Sequence, residues 1–250
     1  MTPADILLLS LLILLAAALY SSVGHGGASA YLAAMALFGL APAVMRPTAL
    51  CLNLIVSSLA AFRFWRAGHF RWRTFWPFAV TSVPLAYLGG ALTLPPTIYK
   101  QIVGVVLLFA AVRLFLSTLE RAAAREPDET REAPLALAML LGAGVGLLSG
   151  LTGVGGGIFL SPLLLLAGWA DARRTAAVSA AFILVNSAAG LLGNPGGLRS
   201  VSAALPYFAL AALLGGIAGT EFGSRRLPPQ WIRRLLAAVL VVAGLKMIFV

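Results

Sequence analysis

The stretch Ser22-Val23-Gly24-His25-Gly26-Gly27 returns 129 residues later as Leu151-Thr152-Gly153-Val154-Gly155-Gly156, with Gly157 following. Each copy interrupts an apolar run with glycines, and another apolar run begins directly after it. A helix that restarts after such a break presents unpaired N–H groups and the positive end of its dipole. That terminus suits an anion. Two of them aimed at one place would hold a small oxyanion through Gly24, Gly26, Gly27, Gly153, Gly155, Gly156 and Gly157, with Ser22 and Thr152 just ahead of the breaks. Asn53, Ser57 and Ser58 in the first half, and Asn186 and Ser187 in the second, add amide and hydroxyl donors without a buried charge. His25 stands where the second copy has Val154. An imidazole at depth titrates near neutrality and would tie anion movement to protons, or it would serve as a neutral donor. The competing reading is close helix packing at the glycines, with the polar side chains making interhelical hydrogen bonds of about 0.6 kcal/mol each.

Catalytic chemistry finds no foothold. The chain has no nucleophilic serine motif, no HExxH and no carboxylate pair at catalytic spacing, and GHGG and GVGGG lack the Lys and Ser/Thr of a phosphate-binding loop. The single Cys51 excludes an internal disulfide and a multi-cysteine metal site. No enzyme, cofactor or metal is expected.

The elements that must position these residues are membrane helices. Of the 250 residues, 60% are hydrophobic and 10% charged, and mean hydropathy is +0.96; an average soluble chain is about 25% charged. The net charge of +10 fits basic loops on one side of a membrane rather than a nucleic-acid surface. The run from Ile6 to Leu19 follows Asp5 with no basic residue ahead of it, so it reads as a retained first helix, not a signal peptide. Ten apolar segments can be drawn, at 5–22, 28–41, 48–64, 75–92, 98–117, 135–151, 157–170, 176–192, 203–222 and 231–250. Trp65, Trp72, Trp76, Trp169 and Trp231 fall near segment ends, as interface anchors do.

The segments repeat. An offset of 129 pairs Gly39 with Gly168, Gly68 with Gly197, Pro77 with Pro206, and Leu54–Ser58 with Ile183–Ser187. Past a four-residue insertion the offset becomes 133, pairing Pro95-Pro96 with Pro228-Pro229 and Arg113 with Lys246. This divides the chain into a first repeat (1–119), a charged linker (120–133) holding five of the eight acidic residues, and a second repeat (134–250). Arg63, Arg66, Arg71 and Arg73 crowd the loop after the third segment, where the second half has only Arg199. In the next loop the bias reverses, with Lys100 against Arg225, Arg226, Arg233 and Arg234. A loop that changes side between copies is the behaviour of inverted repeats with an odd number of crossings each. With both termini on the non-cytoplasmic side, only Arg46, Lys100, Arg199 and Lys246 of the 18 basic residues fall outside the cytoplasm. The fold expected is therefore an all-α polytopic membrane protein of eight to ten transmembrane segments. Its two inverted repeats would carry glycine-broken or re-entrant helices. Glu221 is expected to pair locally with Arg225.

The duplicated break, the run Ser161 to Trp169 (SPLLLLAGW) and the Ala/Ser-rich third segment resemble the TauE/SafE family of sulfite exporters, also called the 4-toluene sulfonate uptake permease family. The resemblance covers nearly the whole chain. It implies a bacterial inner-membrane secondary carrier for a small sulfur-containing anion, driven by the proton gradient, with lipids and protons as its other partners and no nucleic acid. His25 and Ala28 depart from the second copy's Val154 and Gly157, so the two halves of the site are unequal. A passive anion channel on the same scaffold is the alternative.

Overall fold

Apolar runs broken by glycine and proline fold into helices because no backbone polar group can be left unpaired in hydrocarbon. The structure, a computed structural model, describes residues 1–22, 24–120, 131–225 and 230–249, without the side chains of 114, 117–120, 222–225, 230–236 and 239. Among the described residues there are ten α-helices, one 3-10 turn at Pro195–Ser200 and no strand. The first half holds α1 (Pro3–Ser21), α2 (Ala28–Leu37), α3 (Pro42–Arg66), α4 (Trp72–Ala91) and α5 (Pro96–Glu120). The second holds α6 (Leu135–Thr152), α7 (Gly157–Leu166), α8 (Ala172–Gly193), α9 (Leu205–Arg225) and α10 (Gln230–Phe249). Helix α1 is started by a capping box, with Thr2 Oγ1 accepting from Asp5 N at 3.2 Å and Thr2 N donating to Asp5 Oδ2 at 2.7 Å. Helix α8 is started by Asp171, whose side chain accepts from Arg174 N at 2.8 Å.

Packing is reciprocal between the halves. Helix α4 lies along α6 as α1 lies along α9, α4 also packs on α8 as α9 does on α3, and α3 pairs with α8 and α5 with α10. Close approach comes from small residues. Gly142, Gly146 and Gly150, one turn apart on α6, face the backbone of Phe78, Ser82 and Ala86 on α4, while Gly215 and Gly219 on α9 face Leu14 and Ala18 on α1. Residues 28–36 of α2 are all buried, among them Tyr31, Leu32 and Met35, and they pack with Leu9, Ile13, Met45, Phe208, Leu240 and Met247 from the surrounding helices. The outer surface carries exposed Leu7, Leu140, Leu192, Val242 and Phe249, a distribution that suits lipid as solvent. Among the described residues, five helices are long and apolar enough to cross a membrane: Pro3–Ser21, Pro42–Arg66, Pro96–Arg113, Leu135–Thr152 and Ala172–Gly193. The chain is an all-α, multi-pass membrane protein.

Several boundaries differ from the hydropathy segments. Helices α2 and α7 stop at Leu37 and Leu166, four residues early, because Gly39 (φ 72°) and Gly168 (φ 67°) turn the chain in the left-handed region. Each has 10 residues, so each is about 15 Å long, half of an about 30 Å hydrocarbon core. Helix α3 begins at Pro42, six residues before the apolar segment, and carries Arg46 and Pro47 inside it. The offset of 129 nevertheless survives as conformation: Gly24 (φ 77°) matches Gly153 (φ 84°), and Gly27 (φ 92°) matches Gly156 (φ 82°).

Two basic residues assigned to the non-cytoplasmic side are helix caps. Lys246 Nζ donates to Leu37 O at the end of α2 (3.0 Å). The 8% exposed Arg46 donates to Gly89 O (2.7 Å), Gly90 O (2.5 Å) and Leu92 O (3.1 Å) at the end of α4. Glu221 pairs across helices with Arg63 at 3.6 Å, because α9 packs on α3 there. The Arg225 side chain, its expected partner, lies outside the described residues, as do those of Arg233, Arg234 and Trp231, and all of Arg226, Pro228, Pro229 and most of the linker. Trp65 and Trp72 are exposed and Trp169 is half-buried against Phe78.

Candidate functional site

Each glycine motif ends one helix and begins the next. At the first break Ser22 Oγ returns to Leu19 O (2.7 Å), and the N–H groups of Gly24 and His25 close α1 on Ser21 O and Tyr20 O (3.1 and 2.9 Å). At the second, Thr152 Oγ1 donates to Leu148 O (2.6 Å) and accepts from Val154 N (3.3 Å). The Tyr99 hydroxyl on α5 donates to Thr152 O at 3.1 Å. Helices α2 and α7 then restart from Gly27 and Gly156, both left-handed N-caps with no side-chain hydrogen bond. A residue with a Cβ would carry a penalty of roughly 1–2 kcal/mol there. In α7 the Phe159 N–H already donates to Gly156 O (3.1 Å). That leaves the N–H groups of Gly157 and Ile158, and in α2 those of the first turn, without an intrahelical partner. Both helices carry the positive dipole end.

The two breaks meet at one side chain. An ideal Cβ built on Gly26 would lie 2.5 Å from Asn53 Oδ1, and one on Gly155 would lie 2.6 Å from Asn53 Nδ2. Ile183 Cγ2 on α8 closes the same gap, 3.1 and 2.8 Å from those two positions. Asn53 and Ile183 sit near the middle of α3 and α8, so the breaks lie deep in the bundle. The Asn53 carboxamide donates to Val154 O and to Ser187 Oγ, both at 3.3 Å. Each break also leans on the opposite half: Gly24 against the Ala176 backbone on α8, Gly153 against Arg46 on α3.

The polar residues anticipated in the third segments divide. Asn53, Ser57, Asn186 and Ser187 are fully buried. Ser187 touches Asn53 and lies 3.2 Å from the Cβ position of Gly155. Ser57 and Asn186 spend a donor on their own helices, at Asn53 O (2.6 Å) and Phe182 O (2.8 Å), and Asn186 Oδ1 is left without a partner. Ser58 is exposed and donates to Ile55 O at 3.0 Å, so it faces away from the breaks. Gly157 abuts Ile183, and Gly156 abuts Phe182 and Val145. His25 is half-buried, with its ring edge-on to Tyr20 at 6.3 Å between centroids.

Two residues at the breaks escaped the sequence reading. Arg46 runs its Cγ past Gly153, 3.2 Å from that Cβ position, and Tyr31 packs its phenol over Gly27. The signal for Arg46 was a charged residue beside an apolar segment, otherwise read as a loop. For Tyr31 it was a phenol one helical turn past the break where the second copy has Leu160. No Asp or Glu occurs in α2, α3, α7 or α8. An anion at the breaks would therefore meet helix dipoles, amide and hydroxyl donors and the field of the buried Arg46 guanidinium, with no carboxylate from these four helices opposing it. Among the described residues no group of three His, Cys, Asp or Glu side chains is placed to hold a metal ion.

The family model described as Sulfite exporter TauE/SafE matches residues 9–247. The probable membrane transporter protein y4hK of Sinorhizobium fredii is 40% identical over 92% of this chain and 93% of its own length. The probable membrane transporter protein YjnA of Bacillus subtilis is 31% identical over 92% and 95%. The probable membrane transporter protein MJ0441 of Methanocaldococcus jannaschii is 27% identical over 80% and 77%. No solved structure matches. A helical membrane bundle with paired glycine breaks at its centre, matched by this family over nearly its whole length, belongs to the sulfite exporter TauE/SafE family of membrane transporters.

Proposed function

We propose that the chain is an alternating-access carrier that moves a small sulfur-containing anion, sulfite or a sulfonate, across the bacterial inner membrane. The observation that carries this reading is the meeting of two uncapped helix N-termini at Asn53. An anion seated there would take N–H groups from α2 and α7, with Gly24, Gly26, Gly27, Gly153, Gly155, Gly156 and Gly157 letting it reach the backbone. Asn53 and Ser187 would line it, and Ser22, Ser57, Thr152 and Asn186 would shape the surrounding turns. Reciprocal packing of α1/α9 with α4/α6 supports two repeats related by a two-fold, and the alternation of arginine-rich loops supports their inversion with both termini outside the cytoplasm. Rocking one repeat against the other would open the midpoint to each side in turn.

Purified protein in liposomes should take up labelled sulfite or sulfoacetate with saturation. Conductance that grows linearly with concentration would replace the carrier with the channel, and no movement of any sulfur anion by folded protein would remove the reading. His25, beside Tyr20 on α1, would be the residue that couples uptake to protons. His25→Ala should flatten the pH profile of uptake, and a profile identical to that of the unaltered protein would take His25 out of the coupling step.

A further inference from the structure

Two buried polar atoms without partners flank the consecutive glycines Gly26 and Gly27. Asn53 Oδ1 faces Gly26, and the hydroxyl of Tyr31, a fully buried residue, lies 2.7 Å from where a Cβ on Gly27 would stand. The carboxamide cannot be turned around: Nδ2 faces Val154 O, which only accepts, so the oxygen must face Gly26. Buried polar atoms are ordinarily satisfied. Two orphans beside the N-cap of α2 therefore mark a place where a bound molecule supplies the partners. The second break has no counterpart of this pair, since offset 129 puts Leu160 opposite Tyr31 and Phe182 opposite Asn53.

The two atoms ask for different things. The Tyr31 hydroxyl and the first-turn N–H groups of α2 donate, and so favour an anionic oxygen. Asn53 Oδ1 only accepts, and would repel a bare anion next to it. We propose that Tyr31 and Asn53 select an anion that carries its own hydrogen-bond donor, such as a hydroxyl- or ammonium-bearing sulfonate or hydrogensulfite. Tyr31 donates to the anionic oxygen while Asn53 accepts from the donor hydrogen. This inference rests on the anion-carrier reading above.

The test uses the full chain in liposomes with two probes differing by one hydroxyl, 2-hydroxyethanesulfonate and ethanesulfonate. The hydroxylated probe should have the lower KM by about tenfold, the scale of one buried hydrogen bond. Tyr31→Phe should raise KM for both by about tenfold and leave the melting temperature in detergent unchanged or higher, because the hydroxyl it removes has no protein partner. The variant is assayed on sulfite as well, so that a site too small for either sulfonate still gives a decision. Equal KM for Tyr31→Phe and the unaltered protein means a trapped water satisfies the phenol and overturns its role. Equal KM for the two sulfonates overturns the donor requirement. If sulfur anions move without either contrast, only this inference fails; if folded protein moves none, the carrier reading fails and takes it along.

Discussion

Gly155→Leu should reduce anion transport by about a hundredfold or more while leaving a folded, helical protein. The backbone at Gly155 has φ 84°, where a side chain costs roughly 1–2 kcal/mol. The new Cβ would lie 2.6 Å from Asn53 Nδ2 and 2.8 Å from Ile183 Cγ2, before the rest of the leucine is accommodated. Overpacking of that kind adds about 1–3 kcal/mol, and each 1.4 kcal/mol is about a factor of ten. The strain falls on the contact that brings the two breaks together, so the N-terminus of α7 and the Asn53 amide are pushed apart. Initial uptake rates in liposomes, with circular dichroism and a detergent melting curve as controls, measure both effects. Uptake at the unaltered rate would mean the meeting point of the breaks is not on the transport path.

Arg46→Met should destabilise the protein by about 3 kcal/mol or more, since hydrogen bonds to a charged group are worth about 1.5–3 kcal/mol each and are not fully additive. The guanidinium, 8% exposed, supplies the last carbonyls of α4 at Gly89, Gly90 and Leu92. Those residues sit where α4 meets two other helices, Gly89 against Leu147 and Gly150 of α6 and Gly90 against Gly190 of α8. Methionine fills similar volume but leaves three carbonyls unpaired and removes the positive charge that opposes the negative end of the α4 dipole. Arg46→Lys should recover only part of the loss, because a single ammonium cannot reproduce the planar fork. Detergent melting curves rank the three proteins. A methionine variant that melts with the unaltered protein would show that α4 ends without its cap at no cost.

Much of the candidate site's backbone was legible because glycine breaks are local. The residues of the two motifs differ in side chain, yet Gly24/Gly153 and Gly27/Gly156 adopt matching left-handed conformations, and in both halves the helix stops and restarts where the duplication says. Helix ends were less legible. Hydropathy carried the second segments on to 41 and 170 because a left-handed glycine does not lower the apolar score, and it started the third at 48 because a buried, capped arginine scores like a loop residue.

What the amino-acid sequence determined by itself is the membrane environment, the duplication, the position of each break and the polar residue types near them. What only the tertiary structure decided is which of those residues meet. Asn53 and Ser187 turn inward while Ser58, one residue after Ser57, turns out, and the contacts of Tyr31 with Gly27 and of Arg46 with Gly153 follow from the packing. The reason is physical. In a membrane both the lipid-facing and the core-facing sides of a helix are apolar, so the pattern of hydrophobic residues does not say which face points in; that is settled by where small residues let neighbouring backbones approach.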